Sequence, residues 1–209
     1  MSNEGEDRPT PTEMHFAEVD ELIHHHTKLP HTAISDGLDW LLIKIGTLAS
    51  WLWLVVVGVI IYAVIGRYAF GQGSVTLEEW QWHIAGAAWL LGLSYTLSTD
   101  DHVRVDVIHE RLTLKAQAWI ELLGLICLLF PFLAFALYEA IPYAMSSFEQ
   151  GETSQAPAGL PNRWILKSVL AASFALLFVA GVSRVLRVTA LLFGLPKPIK
   201  ADDGKKGAI

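Results

Sequence analysis

Four apolar blocks, each about as long as a bilayer is thick, dictate what this chain can fold into. They cover residues 40–66 ("WLLIKIGTLASWLWLVVVGVIIYAVIG"), 80–98 ("WQWHIAGAAWLLGLSYTLS"), 118–141 ("AWIELLGLICLLFPFLAFALYEAI") and 164–182 ("WILKSVLAASFALLFVAGV"). The last continues apolar to residue 195. A membrane-crossing helix needs about 20 mostly apolar residues, because hydrocarbon offers backbone groups no partner outside the helix. A soluble domain of 209 residues would seldom be 53 % hydrophobic and only 17 % charged. The blocks predict an all-α integral membrane protein with four transmembrane helices and short interfacial helices. The first block is too long for a signal core and follows a mostly polar stretch, so it reads as a retained span.

The rest of the chain divides around these blocks. Residues 1–37 read as an acidic, largely flexible arm, residues 38–195 as the membrane domain, and residues 196–209 as a disordered tail. Lys and Arg, not net charge, set orientation. Twelve of the fifteen basic residues fall on the side shared by both termini, among them Lys44, Arg104, Lys115, Arg184 and Arg187. Only Arg67, Arg163 and Lys167 fall opposite. Both termini are therefore expected in the cytoplasm, with the tail lysines near anionic lipid.

Chemistry-bearing residues are sparse. His83 is the one His clearly inside a block, whereas a bis-His haem needs two on facing helices. That disfavours the competing reading, a membrane-anchor subunit of a redox enzyme complex. The run His24–His26 lacks an acidic or Cys partner at ligand spacing, and the single Cys127 excludes an internal disulfide. The stretch "DDHVRVDVIHER" (100–111) places His102, Asp106 and His109 on one helical face, but Arg104 and Arg111 interrupt any ligand set. An interfacial loop helix accounts for it better than catalysis. Glu121, Glu139, Lys44, Lys167 and Arg184 lie close enough to block ends to reach headgroups by snorkelling. No catalytic, cofactor or metal residue is expected, and no nucleic-acid partner.

Taken in order, several stretches resemble the small, DctQ-type membrane subunit of tripartite ATP-independent periplasmic (TRAP) transporters. They are "RYAF" (67–70), "TLEEWQW" (76–82), "HVRVDVIHERL" (102–112) and "GETSQAPAGLPNRW" (151–164). The second departs from the family at Thr76, where many members have Trp. The resemblance, over roughly residues 38–190, implies a non-catalytic brace in the bacterial inner membrane. Its implied partners are a large DctM-type membrane subunit, membrane lipid and a periplasmic binding protein delivering an organic acid. The coupling ion, sodium, would belong to the large subunit.

Local expectations follow. Thr76 and Glu79 read as a capping box opening the second helix, and Pro131 should bend the third. Opposite charge predicts that Arg67 faces Glu78 and Glu79 across the first outer loop. Ala88 and Gly92, like Gly46 and Ser50, have the small-residue spacing that lets a helix approach closely. The outer loop 146–162, with Glu149 and Glu152, is expected to meet the binding protein. The fourth helix should continue past Arg184 to Phe193 and end at Gly194 before Pro196, with Arg184 and Arg187 at the headgroups.

Overall fold

The computed structural model describes residues 29–100 and 112–197, and among these every regular element is helical. The elements are α1 (Ala33–Phe70), α2 (Val75–Ser98), α3 (Leu114–Gly124), a π-helical turn (Leu125–Leu129), α4 (Phe130–Glu149) and α5 (Trp164–Phe193). Three rods are long and apolar enough to cross a membrane: α1, the continuous Leu114–Glu149 rod and α5. The 24-residue α2 is long enough but less apolar, so it falls short of that measure.

Helix ends follow local chemistry. Thr32 accepts from the Ser35 N–H while Ser35 reaches back to the Thr32 N–H, a reciprocal cap that starts α1 at Ala33. Leu29 and Thr32 are buried as well. The first helix therefore begins before residue 38, because a cap and an apolar anchor precede the long apolar run. Ser74, not Thr76, caps α2 by accepting from the Leu77 N–H. The helix starts early enough that Thr76 lies inside its first turn, free to bond elsewhere. Pro131 enters the first turn of α4 directly after the π-helical turn. Proline has no N–H to donate and crowds the preceding turn, so the helix widens there instead of breaking. At the far end Gly194, at φ +68°, closes α5 after Phe193, so the continuation past Arg184 is present.

Helices α1 and α2 form a tight antiparallel hairpin joined by residues 71–74. Close approach depends on Gly46, where an added Cβ would lie 2.5 Å from the Tyr95 ring. Ala88 is buried too, so both serve packing within this chain. Gly92 and Ser50 do not: a Cβ on Gly92 would meet open space, and Ser50 is exposed. One apolar layer joins Leu42 of α1, Leu97 of α2, Leu133 of α4 and Leu177 and Ala180 of α5. A second cluster, Leu29, Ala118, Leu122 and Val188, gathers the chain's start, α3 and the last turns of α5 at one end. Val188 is fully buried there. The outside is as apolar as the inside. Trp51, Phe135 and Leu128 are 63, 66 and 74 % exposed, which suits lipid or protein contact rather than water.

Candidate functional site: polar clasps at both ends of the helices

At the end where α5 finishes, each of the other rods contributes an acid to two arginines of α5. Arg184 is almost fully buried; its Nε donates to Glu121 of α3, and its Nη2 lies 2.9 Å from Asp100 Oδ1 just after α2. That second contact is close enough for Coulombic attraction but lies off the donor axis of a hydrogen bond. One turn on, Arg187 Nη2 pairs with Asp39 of α1, with Asp36 Oδ1 at 3.6 Å and His31 Nδ1 at 3.4 Å. The Ser183 hydroxyl donates to Asp39 Oδ1 at 2.7 Å. Sequence spacing alone sends Arg184 and Glu121 to the headgroups. The structure turns both inward, because a buried guanidinium with carboxylates on two sides is compensated without reaching water.

A second clasp closes the other end. Glu79 accepts from the Ser154 hydroxyl and, through Oε2, from the Leu160 N–H at 2.6 Å. Thr76 donates to the Ala158 carbonyl at 2.6 Å. Two residues of the first turn of α2 thus fasten the loop between α4 and α5. Three non-glycine or glycine positions in that loop, Gly151, Ala158 and Asn162, take positive φ, which folds it back on itself. Its base is tied by Arg163 N–H to the Glu152 carbonyl, 3.1 Å, and by the Glu152 carboxylate to Lys167. Lys167 also lies over the Tyr143 ring, 3.8 Å from its centroid, rather than snorkelling outward. The acidic pair splits its work. Glu78 bonds Arg67 across the hairpin, as opposite charge predicts, while Glu79 turns away to the loop.

The Lys167 contact holds the Glu152 carboxyl below its usual value of 4.5. A lowered carboxylate contributes fully above the unfolded value and is lost as pH falls through the folded one. The carboxylate infrared band that disappears in Glu152→Gln is therefore expected to titrate below pH 4.5. Titration at or above that value would mean that Lys167 does not hold it.

Between the clasps the chain is mostly apolar, its acidic and basic side chains there being Lys44, His83 and Glu139. From Glu79 to Asp100 the path along α2 is about 32 Å at the helical rise, close to a hydrocarbon core of about 30 Å. A groove of about 350 Å³ opens toward the loop end, lined by Leu52, Trp80, His83, Ile84, Leu160 and Leu166. The His83 ring bonds the Glu79 carbonyl at 2.7 Å, one turn back on its own helix. Among the described residues no three His, Cys, Asp or Glu side chains converge on a metal-sized position.

Residues 56–191 match the family model described as "Tripartite ATP-independent periplasmic transporters, DctQ component". The chain belongs to this DctQ family. It is a TRAP-transporter small membrane subunit, as the motif order implies. No curated protein and no solved structure matches it. The DctQ match includes the whole loop-end clasp, from Arg67 to Lys167, and both α5 arginines. It leaves out Asp36 and Asp39, so Arg187 is held by acids lying before the matched segment.

The residues singled out from sequence are thus sorted by geometry. Arg67, Glu78, Glu79, Glu152, Arg184 and Arg187 belong to the clasps, and Glu149 is exposed at the end of α4. His102, Arg104, Asp106 and the run His24–His26 lie outside the described residues. Sequence reading missed Asp39, Asp100, Ser154 and Ser183, and misassigned Glu121. One signal for them was available: both arginines of α5 lie on an otherwise apolar helix, and such residues need partners.

Proposed function

We propose that this DctQ chain is a non-catalytic brace for the large membrane subunit of a TRAP transporter. All four rods, α2 included, cross the bacterial inner membrane with both termini in the cytoplasm. The large subunit carries substrate and coupling ion, sodium, while a periplasmic binding protein delivers an organic acid. Family membership supports the partnership, and the distribution of basic residues supports the orientation. The observation that carries the bracing role is the placement of charge. The clasp charges pair with one another at the two ends, and the depth between them is mostly apolar, with Lys44, His83 and Glu139 as the acidic and basic exceptions. Such an arrangement stiffens four helices against each other and leaves their outer faces for contact.

Reconstitution tests it. Liposomes holding the large subunit, supplied with binding protein and a sodium gradient, are expected to take up organic acid only when this chain is present. Substrate binding to the purified chain alone should be undetectable. Full uptake without the chain, or substrate bound by it in isolation, would refute the brace.

A further inference from the structure

The groove at the loop end has dimensions that select its occupant. Trp80, His83 and Ala87 of α2 line one side, Val169 of α5 another, and Leu52 of α1 completes the wall. From Trp80 to Ala87 the helix rises about 10 Å, which sets the length of the groove along the bundle. A volume of about 350 Å³ over that length leaves a cross-section of roughly 35 Å². A helix 10–12 Å across needs about 80 Å² or more, so a partner's helix is too wide to enter. One extended hydrocarbon chain is narrow enough. The groove starts level with the loop-end clasp and runs into the apolar depth, the path of an acyl chain below its headgroup.

Shape alone would not retain a lipid, because the surrounding bilayer offers a chain an equally apolar place. The second observation is charge at the mouth. Asn162 lines the groove, and Arg163 follows it in the chain. Arg163 and His83 both lie within Coulombic reach of Glu79, which puts the guanidinium near the groove's outer end. The clasp leaves that guanidinium almost unused. Glu79 is engaged by Ser154 and the Leu160 N–H, and Glu152 by Lys167. Among the described residues Arg163 has one ion pair, a long one of 4.0 Å to Glu152, and its side chain is 41 % exposed. A guanidinium with donors to spare, at the mouth of a chain-wide apolar groove, matches a phosphate joined to an acyl chain.

We propose that this groove holds one acyl chain of a phospholipid from the loop-end leaflet, with Arg163 on its phosphate. The inference does not depend on the bracing role. The full chain, reconstituted in vesicles of phosphatidylethanolamine and phosphatidylglycerol, is given a trace of phospholipid with a photoreactive acyl chain. Adducts, mapped by peptide mass, are expected to concentrate at Ala87 and Val169, well above those at the exposed Leu128. Ala87→Phe fills the groove and should abolish them. Arg163→Gln leaves the groove open and should lower them about tenfold, the loss of one charge-assisted contact. A photoreactive fatty alcohol, which has no phosphate, should label the groove no better than Leu128. Even labelling of the groove and Leu128, or labelling unchanged in Arg163→Gln, would overturn the proposal. Groove labelling by the alcohol equal to that by the phospholipid would remove the phosphate contact. Loss of groove labelling in the assembled transporter would mean that a side chain of the large subunit fills it, and would overturn the lipid.

Discussion

Arg184→Ala is expected to lower the stability of the helix assembly by about 3–5 kcal/mol, the usual effect of removing one partner from a buried ion pair. The substitution takes the buried guanidinium away from Glu121 and Asp100, whose side chains are only 15 and 10 % exposed. The size of the loss decides between two placements of this arginine. A guanidinium snorkelling to the headgroups would behave as a surface charge, and losing it would cost about 0–1 kcal/mol. Denaturant unfolding in detergent micelles, followed by tryptophan fluorescence, reads the difference. Arg184→Lys should fall between, because an ammonium keeps the charge but lacks the planar fork that reaches two carboxylates. A loss below about 1 kcal/mol for Arg184→Ala would mean that the buried clasp does not form.

Glu79→Ala is expected to free the loop between α4 and α5, whereas Glu78→Ala leaves it in place. The two carboxylates are adjacent in sequence but differ in what they hold. Glu79 fixes the loop through Ser154 and the Leu160 N–H, while Glu78, among the described residues, meets the half-exposed Arg67. Hydrogen exchange at the Leu160 amide should quicken by about one to two orders of magnitude in Glu79→Ala. In Glu78→Ala it should stay near the wild-type rate. Equal responses in the two variants would remove Glu79 as the fastener. The same comparison bears on the binding protein. If the loop docks it, Glu79→Ala should impair docking without touching a contact residue, through loss of the loop's shape. The charge of Glu152 is a weaker candidate for direct contact than its place in a long outer loop implies, because Lys167 already engages it.

Much of this architecture is legible in one dimension because bilayer physics is written into the chain as run length. A run of about 20 apolar residues can satisfy its backbone in hydrocarbon only as a helix, so the apolar blocks became helical rods without reference to any neighbour. Local stops were equally readable. Gly194 ends α5 because an apolar helix followed by Gly and Pro has a built-in terminator. The family, too, was carried by motif order along the chain. Other local readings failed for identifiable reasons. Thr76 looked like a cap because hydroxyl and acid stand three apart, but Ser74 lies two residues nearer the turn and took the role.

Partner choice was different, since it depends on which helix faces stand side by side. Glu121 and Arg184 are 63 residues apart, and nothing in their spacing says that they meet rather than each seek the headgroups. Glu79 and Leu160 are 81 apart, and one is a backbone amide that carries no sequence signature at all. The sequence by itself determined the number and length of the apolar runs, the stop of α5 at Gly194, and the family. The tertiary structure decided which charges are buried, which acid of a pair fastens a loop, and whether a small residue such as Gly46 or Gly92 faces a neighbour or open space. The reason is physical: run length and caps are properties of a single helix, whereas a buried charge is stable only where another helix brings its counter-charge within a few ångströms.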